Sequence, residues 1–211
     1  MTPLVSPELD RYIRDLLPAR RPIIAEMEAE ALVRDIPIVG PAVATLLAVL
    51  AESIGARRVF ELGSAIGYST AFFALAVGPK GRVFYTDGSA KNAEEARGYL
   101  RRLKLLDRVE MRVGEAVGLL EASRGDFDVI FIDIDKDAYP AALEAAAPRV
   151  RPGGYLLADN VLWSGRVVDA SIRDAATEGI RDFNRRLFAR NDFSSVIVPL
   201  RDGVAVARKL G

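Results

Sequence analysis

Two oxygen-rich clusters are the residues best equipped for chemistry: Asp133-Ile134-Asp135-Lys136-Asp137, and Asp159-Asn160. Each directly follows a short apolar run, residues 127–132 and 155–158. Carboxylates and amide carbonyls are hard oxygen donors of the kind magnesium takes, and also manganese or calcium. A set of three leaves coordination positions for water or for ligand oxygens. If the two runs are neighbouring parallel strands, ~4.8 Å apart, Asp133 and the Asp159-Asn160 pair converge on one cation. The competing reading is a set of solvated charges at strand ends. Lys136, three residues after Asp133, either accepts a proton from a bound hydroxyl or forms a salt bridge to Asp135 or Asp137.

A second cluster lies upstream, in Glu61-Leu62-Gly63-Ser64-Ala65-Ile66-Gly67-Tyr68-Ser69. It joins a β-type run to a helical one, where glycines let the backbone turn and approach a ligand closely. Its spacing is G-x-x-x-G, not the G-x-G-x-x-G that seats a pyrophosphate on a helix N-terminus. Asp87 ends the next β-type run, the position from which an acid accepts hydrogen bonds from both hydroxyls of a ribose. Glu61 adds negative charge where a cationic amino or sulfonium group would lie. The plainer alternative is that Gly63 and Gly67 make a tight turn and Asp87 caps the following helix. The order strand, loop, helix, strand, acid favours an adenosine-type cofactor.

Composition narrows the chemistry further. The chain has 211 residues with no cysteine and no histidine. Disulfides, thiolate nucleophiles, zinc-thiolate sites, Ser-His-Asp triads and histidine-ligated metals are thereby removed. Lysine and arginine total 29 against 29 acids, so net charge does not point to nucleic acid or an anionic membrane. Met1 to Asp10 shows no basic start followed by an apolar run, and no stretch approaches the ~20 apolar residues of a membrane helix; a cytoplasmic location is the expectation.

The elements that must position these residues read as follows. Residues 7–17, 22–33 and 42–54 have helical apolar spacing, with Ser6 placed to cap the first. β-type runs at 59–62, 82–86, 109–113, 127–132 and 155–158 alternate with helical ones at 68–77, 90–104, 116–122 and 138–147, the pattern of parallel strands joined by crossover helices. Residues 127–132 are nearly all apolar, as a central strand covered on both faces requires. A helix at 172–190 precedes two strands, 194–199 and 204–208, joined through Asp202-Gly203, a strong hairpin signal. The expected fold is a single α/β domain over residues 1–211, with residues 1–45 forming helices that cover the active site or supply an interface.

With these residues in view, the chain resembles the cation-dependent O-methyltransferases, the family that includes catechol and caffeoyl-CoA O-methyltransferases. The segments that carry the resemblance are FELGSAIGYST (60–70), VFYTDG (83–88), FDVIFIDIDKDAY (127–139), PGGYLLADNVLWSGRVV (152–168), IRDFNRRL (180–187) and the closing hairpin. Coverage runs from about Leu46 to the C-terminus. The resemblance implies a class I S-adenosylmethionine-dependent methyltransferase fold, Rossmann-like, with a seven-stranded, mostly parallel sheet and a C-terminal antiparallel hairpin. It implies S-adenosyl-L-methionine as donor, a magnesium ion on Asp133, Asp159 and Asn160, and Lys136 as general base, with Asp133 beside it in catalysis. Glu61, Gly63, Ala65, Tyr68, Ser69, Asp87, Gly88 and Ala116 would surround the cofactor, Asp135 would lie at the mouth of the site with Asp133 behind it, and Ile38 and Val39 would offer backbone contacts. Lys136, Tyr139, Trp163 and Ser164 would face the acceptor, Trp163 and Tyr139 by apolar faces; packing is the alternative for Trp163. The chain departs from the plant caffeoyl-CoA pattern at Ser164, at Ile134 and over residues 37–43.

The expected activity is methyl transfer to a hydroxyl of a small catechol-like or phenolic compound by a homodimer. The metal would hold two adjacent acceptor oxygens, and Lys136 would take the proton. Three alternatives stand beside it. A methyltransferase of the same family acting on hydroxyuridine in transfer RNA would use a basic face of Arg97, Arg101, Arg102 and Lys104. A nicotinamide-dependent oxidoreductase would use the glycine loop and Asp87. A non-catalytic binding protein would keep only the fold.

Overall fold

The computed structural model describes residues 6–211; residues 1–5 of the expected N-terminal segment lie outside the described residues. Three helices come first: α1 (Pro7–Leu16), α2 (Pro22–Arg34) and α3 (Gly40–Ser53). Ser6 caps α1 by accepting from the Leu9 amide at 3.3 Å. Each helix has a proline in its first turn, where the missing N–H costs no helical bond.

The alternating part follows as β1 (Arg58–Leu62), α4 (Tyr68–Ala76), β2 (Arg82–Asp87), α5 (Ala90–Arg102), β3 (Val109–Val113), α6 (Ala116–Glu121), β4 (Phe127–Ile132), α7 (Tyr139–Ala146) and β5 (Val150–Ala158). Then come α8 (Ala175–Phe188), β6 (Phe193–Val198) and β7 (Val204–Lys209). The seven strands form one sheet in the order β3-β2-β1-β4-β5-β7-β6. β1 to β5 run parallel, and β7 pairs antiparallel with both β5 and β6. The expected fold class, a mostly parallel sheet closed by an antiparallel hairpin, is the one observed.

Both faces of the sheet are covered. Val59, Tyr85, Val129, Phe131 and Leu157 pack under α2 to α5, while Phe60, Leu62, Ile130, Ile132 and Leu156 pack under α6 to α8. This two-sided burial is why β4 carries apolar residues at almost every position rather than at alternate ones. Strand order reverses between β1 and β4, since β1 is flanked by β2 on one side and β4 on the other. Crevices at such reversals, beyond the carboxyl ends of the strands, are where ligands bind in open α/β sheets.

Most boundaries differ from the sequence expectation by no more than two residues, and the starts of β5 and α8 differ by more, each for an identifiable reason. β5 begins at Val150 rather than at Tyr155, because Pro152-Gly153-Gly154 is absorbed as an irregularity in its pairing with β4 instead of forming a turn. Gly154 permits this: a Cβ there would sit 2.6 Å from the Asp128 carbonyl oxygen. α8 begins at Ala175 rather than at Ile172, because Asp174 caps it by accepting from the Thr177 amide at 3.0 Å. Among the described residues no helix is long and apolar enough to cross a membrane.

Candidate active site

The carboxyl ends of β1, β2, β4 and β5 bring Glu61, Asp87, Asp133 and Asp159 to one edge of the sheet. The register fixes the closest pair: Leu62 lies opposite Ile132, and the Asp133 amide donates to the Leu62 carbonyl at 2.8 Å. Gly63 therefore passes directly against Asp133. Its φ is +84°, and a Cβ on it would lie 2.1 Å from the Asp133 carbonyl oxygen. Gly67, at φ +81°, has a similar but milder constraint, since a Cβ would meet that of Ala96 at 3.0 Å.

The glycine loop is held by a dense set of hydrogen bonds. Asp87 accepts from the Ala65 amide at 3.0 Å with one oxygen, and with the other from the Ser89 amide at 2.7 Å and the Asn92 side chain at 3.1 Å. The helix cap of α5 is Ser89, not Asp87. Tyr85 donates to the Ala65 carbonyl at 2.7 Å, and Thr86 to the Glu61 carbonyl at 2.6 Å. Ala65 itself takes a left-handed φ of +44°. Gly88 is exposed with nothing within 4 Å of a would-be Cβ, and Ala116 is buried at the start of α6, next to Leu62 and Phe84.

Glu61 is fully buried and accepts from Thr70 at 2.5 Å and from Ser64 at 3.4 Å through Oε2, while Oε1 has no partner. Burial pushes its carboxyl up to about 7; the hydroxyls of Ser69, Thr70 and Ser64 oppose the shift and the charge of Asp133 adds to it. A buried carboxyl with an unpaired oxygen is a costly arrangement unless a donor or cation completes it. Tyr68 opens α4, and its hydroxyl is committed to Glu28 of α2 at 2.7 Å, with Arg20 pairing the same carboxylate at 2.8 Å. This places α2 against the start of the glycine-loop helix.

On the other side, Asp159 is 3% exposed, with Oδ1 buried and unpartnered. Burial raises its carboxyl to about 7, and the neighbouring Asp133 charge pushes the same way, against Arg201 and Lys136. Asn160 follows in a left-handed conformation, φ +56°, with its amide nitrogen 3.5 Å from Asp202 Oδ2. Among the described residues no three acidic side chains gather as a metal-binding group. Two carboxylates, one with an orphan oxygen, plus the Asn160 amide oxygen, form the donor set present.

Lys136 bonds neither Asp135 nor Asp137. Its Nζ donates to Asp133 Oδ1 at 2.9 Å and to the Tyr139 hydroxyl at 2.9 Å, and lies 5.9 Å from the centre of the Trp163 ring. Helical geometry explains the second contact: Lys136 opens the tight turn 136–138, where residues three apart share a face, and Tyr139 caps it. Asp135 is exposed just before that turn. Tyr139 is a correction to the sequence expectation. It is fully buried, with its ring edge-on to Phe183 at 5.3 Å, so no face of it is open to an acceptor. Trp163 is half-buried, and Ser164 is exposed; both have left-handed φ, +47° and +52°.

Sequence reasoning missed the β6–β7 turn as part of the site. Asp202 accepts from the Ser164 amide, and the Leu162 and Val161 amides donate to the carbonyls of Asp202 and Gly203 at 2.9 and 3.0 Å. Arg201 reaches across to the Ile38 carbonyl at 2.8 Å, which occupies one of the backbone groups expected to contact the cofactor; Val39 beside it is buried. The signal available was the match of the closing hairpin itself, which had been assigned only a turn role. Of the basic face Arg97, Arg101, Arg102 and Lys104, two members are engaged: Arg97 pairs with Glu94, and Arg102 with Glu26 of α2, each at 2.6 Å.

Comparison with known proteins adds an independent line. A family model described as O-methyltransferase matches residues 21–210. A catechol O-methyltransferase of Niastella koreensis is 32% identical over 210 residues, covering 94% of this chain and 95% of that protein. An O-methyltransferase from Bacillus cereus, solved in complex with SAH, is similar with a TM-score of 0.87 at 32% identity, over 96% of this chain and 97% of that one. The O-methyltransferase TomG from Streptomyces achromogenes, involved in tomaymycin synthesis and solved with SAM, gives 0.86 at 29% identity, over 97% and 96%.

Proposed function

Because this chain belongs to the O-methyltransferase family and is an S-adenosylmethionine-dependent enzyme, we propose that it methylates a hydroxyl of a small catechol-like or phenolic acceptor with the help of a divalent cation. The observation that carries the metal reading is the pair Asp133 and Asp159: two acids of like charge, one buried with an unpartnered oxygen, its carboxyl pushed up by that burial and by the charge of the other. Asp133, Asp159 and the Asn160 amide oxygen would hold the ion, magnesium first and manganese or calcium as alternatives. Bound there, a divalent cation supplies Lewis acidity and orients adjacent acceptor oxygens.

S-adenosylmethionine, when bound, supplies a methyl group on a cationic sulfur. The chain's own part begins with Glu61, whose orphan Oε1 offers the only kind of partner, an acceptor, that a cationic donor needs. Gly63 leaves the backbone bare where a side chain would collide with Asp133, and Asp87 holds the loop through three hydrogen bonds while keeping one carboxylate lone pair, on Oδ2, for a ribose hydroxyl. Lys136 takes the proton from the acceptor hydroxyl as that oxygen bonds to the methyl carbon. Lys136 would later return its proton to solvent, and the bonding pair of the transferred methyl would stay on sulfur. Trp163 and Ser164, on the loop after β5, border the acceptor.

α2 covers the cofactor end of the site, tied to it by the Tyr68–Glu28 bond. The exposed apolar residues of α1, Leu9, Tyr12 and Leu16, support a homodimer, which sedimentation would test. The central test is methyl transfer to catechol, a phenolic acid and its thioester, with and without a chelator, alongside Asp159→Ala. Activity is expected to vanish in both cases and to return on adding magnesium to the chelated wild type only. Undiminished turnover after chelation would refute the metal role.

A further inference from the structure

We propose that Tyr139 is a positioning residue that fixes Lys136 Nζ beside Asp133, with its remaining direction turned to the acceptor oxygen; the inference rests on the reading of Lys136 as the base. The Tyr139 hydroxyl sits 2.9 Å from the Asp159 carbonyl and 3.3 Å from the Ile132 carbonyl, in a fully buried position. Carbonyls only accept, so the single phenolic proton is committed to them. Toward Lys136 Nζ, 2.9 Å away, the phenolic oxygen can then only accept.

The consequence falls on the lysine. Asp133 Oδ1 and the Tyr139 oxygen, each at 2.9 Å, take one hydrogen apiece. The remaining direction on Nζ is left for the acceptor oxygen. Tyr139 cannot drift to another partner, because its ring is fixed against Phe183 at the head of α7. The same hydroxyl joins the carboxyl ends of β4 and β5 to the base, so base and acids are set by one buried oxygen.

The test is a kinetic cycle of Tyr139→Phe, Lys136→Met and the double variant, at saturating donor and magnesium. Tyr139→Phe is expected to lower kcat about 30-fold, within the range of a mispositioned general base, with acceptor KM changed less than about two-fold. In the Lys136→Met background the same substitution is expected to cost nothing further, because its effect passes through the lysine. An equal loss in both backgrounds, or a loss recovered by raising magnesium, would overturn the inference and assign Tyr139 to the backbone of Asp159 instead. Should Tyr139→Phe fail to fold, a fluorinated tyrosine at 139, which keeps the hydroxyl but weakens it as an acceptor, is expected to lower kcat, and unchanged kcat would overturn the inference equally. A fully active Lys136→Met would show that the base reading had failed; an inactive Lys136→Met with wild-type Tyr139→Phe would sink the positioning role alone.

Discussion

Gly63→Ala puts the geometry of the site to a quantitative test. The new Cβ would sit 2.1 Å from the Asp133 carbonyl oxygen, 2.9 Å from its carbonyl carbon and 3.1 Å from Ile134 Cγ2. A carbon–oxygen contact needs roughly 3.3 Å, so the ends of β1 and β4 must separate by about 1 Å. That separation strains the Asp133–Leu62 hydrogen bond, now 2.8 Å, which registers the two strands. Holding alanine at φ +84° adds its own cost. Strain at the left-handed backbone contributes about 1 kcal/mol and overpacking about 2, for a destabilisation of about 3 kcal/mol. Because Asp133 moves with its carbonyl, a misplacement of about 1 Å should also lower kcat/KM on the order of 100-fold. Urea unfolding and methyl transfer measure the two effects. Gly98→Ala is the internal control: it lies within α5, meets nothing within 4 Å, and should be stabilising by up to about 1 kcal/mol without loss of activity. A Gly63→Ala protein as stable as the Gly98→Ala protein, or one fully active, would refute the packing argument.

Three further outcomes are expected. Magnesium should raise the melting temperature of the wild type, and Asp159→Asn should abolish that rise and lower turnover about 100-fold or more; a preserved magnesium shift would place the ion elsewhere. Glu61, raised by burial from 4.5 to about 7, binds a proton in the folded state that the unfolded chain releases at lower pH. Its contribution is therefore full below pH about 4.5 and lost as pH rises through about 7, by at most about 3 kcal/mol. Glu61→Gln should flatten that decline in protein free of donor and metal, and an unaltered pH slope would contradict the burial argument. Arg201→Ala removes the hydrogen bond to the Ile38 carbonyl, so amide exchange over residues 36–40 should rise several-fold while that of α7 stays constant. Unchanged exchange there would mean that the turn does not hold this segment.

Much of this was legible in the sequence because it depends on local relations. The alternation of β-type and helical runs, the all-apolar 127–132 strand, the glycine loop after β1 and the Asp-Gly turn each follow from side-chain periodicity or backbone freedom within a few residues. The acids Asp133 and Asp159 could be placed at strand ends for the same reason. The start of β5 was not legible in the same way: the strand was read from Tyr155, yet the pairing of Phe127 with Val150 and of Val129 with Tyr155 carries it through Pro152-Gly153-Gly154.

Only the tertiary structure decided which of these residues act together. Glu61, Asp133 and Asp159 meet because β4 inserts between β1 and β5, an ordering set by the packing of helices on both faces rather than by any spacing along the chain. Tyr139 has the same residue type whether it faces an acceptor or the core; the approach of α8, with Phe183 against its ring, settles that it is buried and turns its hydroxyl into a link between Lys136 and Asp159. Arg201 and Asp202 join the site by the folding back of the last hairpin onto residues distant in sequence. Side-chain type and period fix which elements form, but burial and the partners of a polar atom are sums over the whole chain, and they exist only once it has folded.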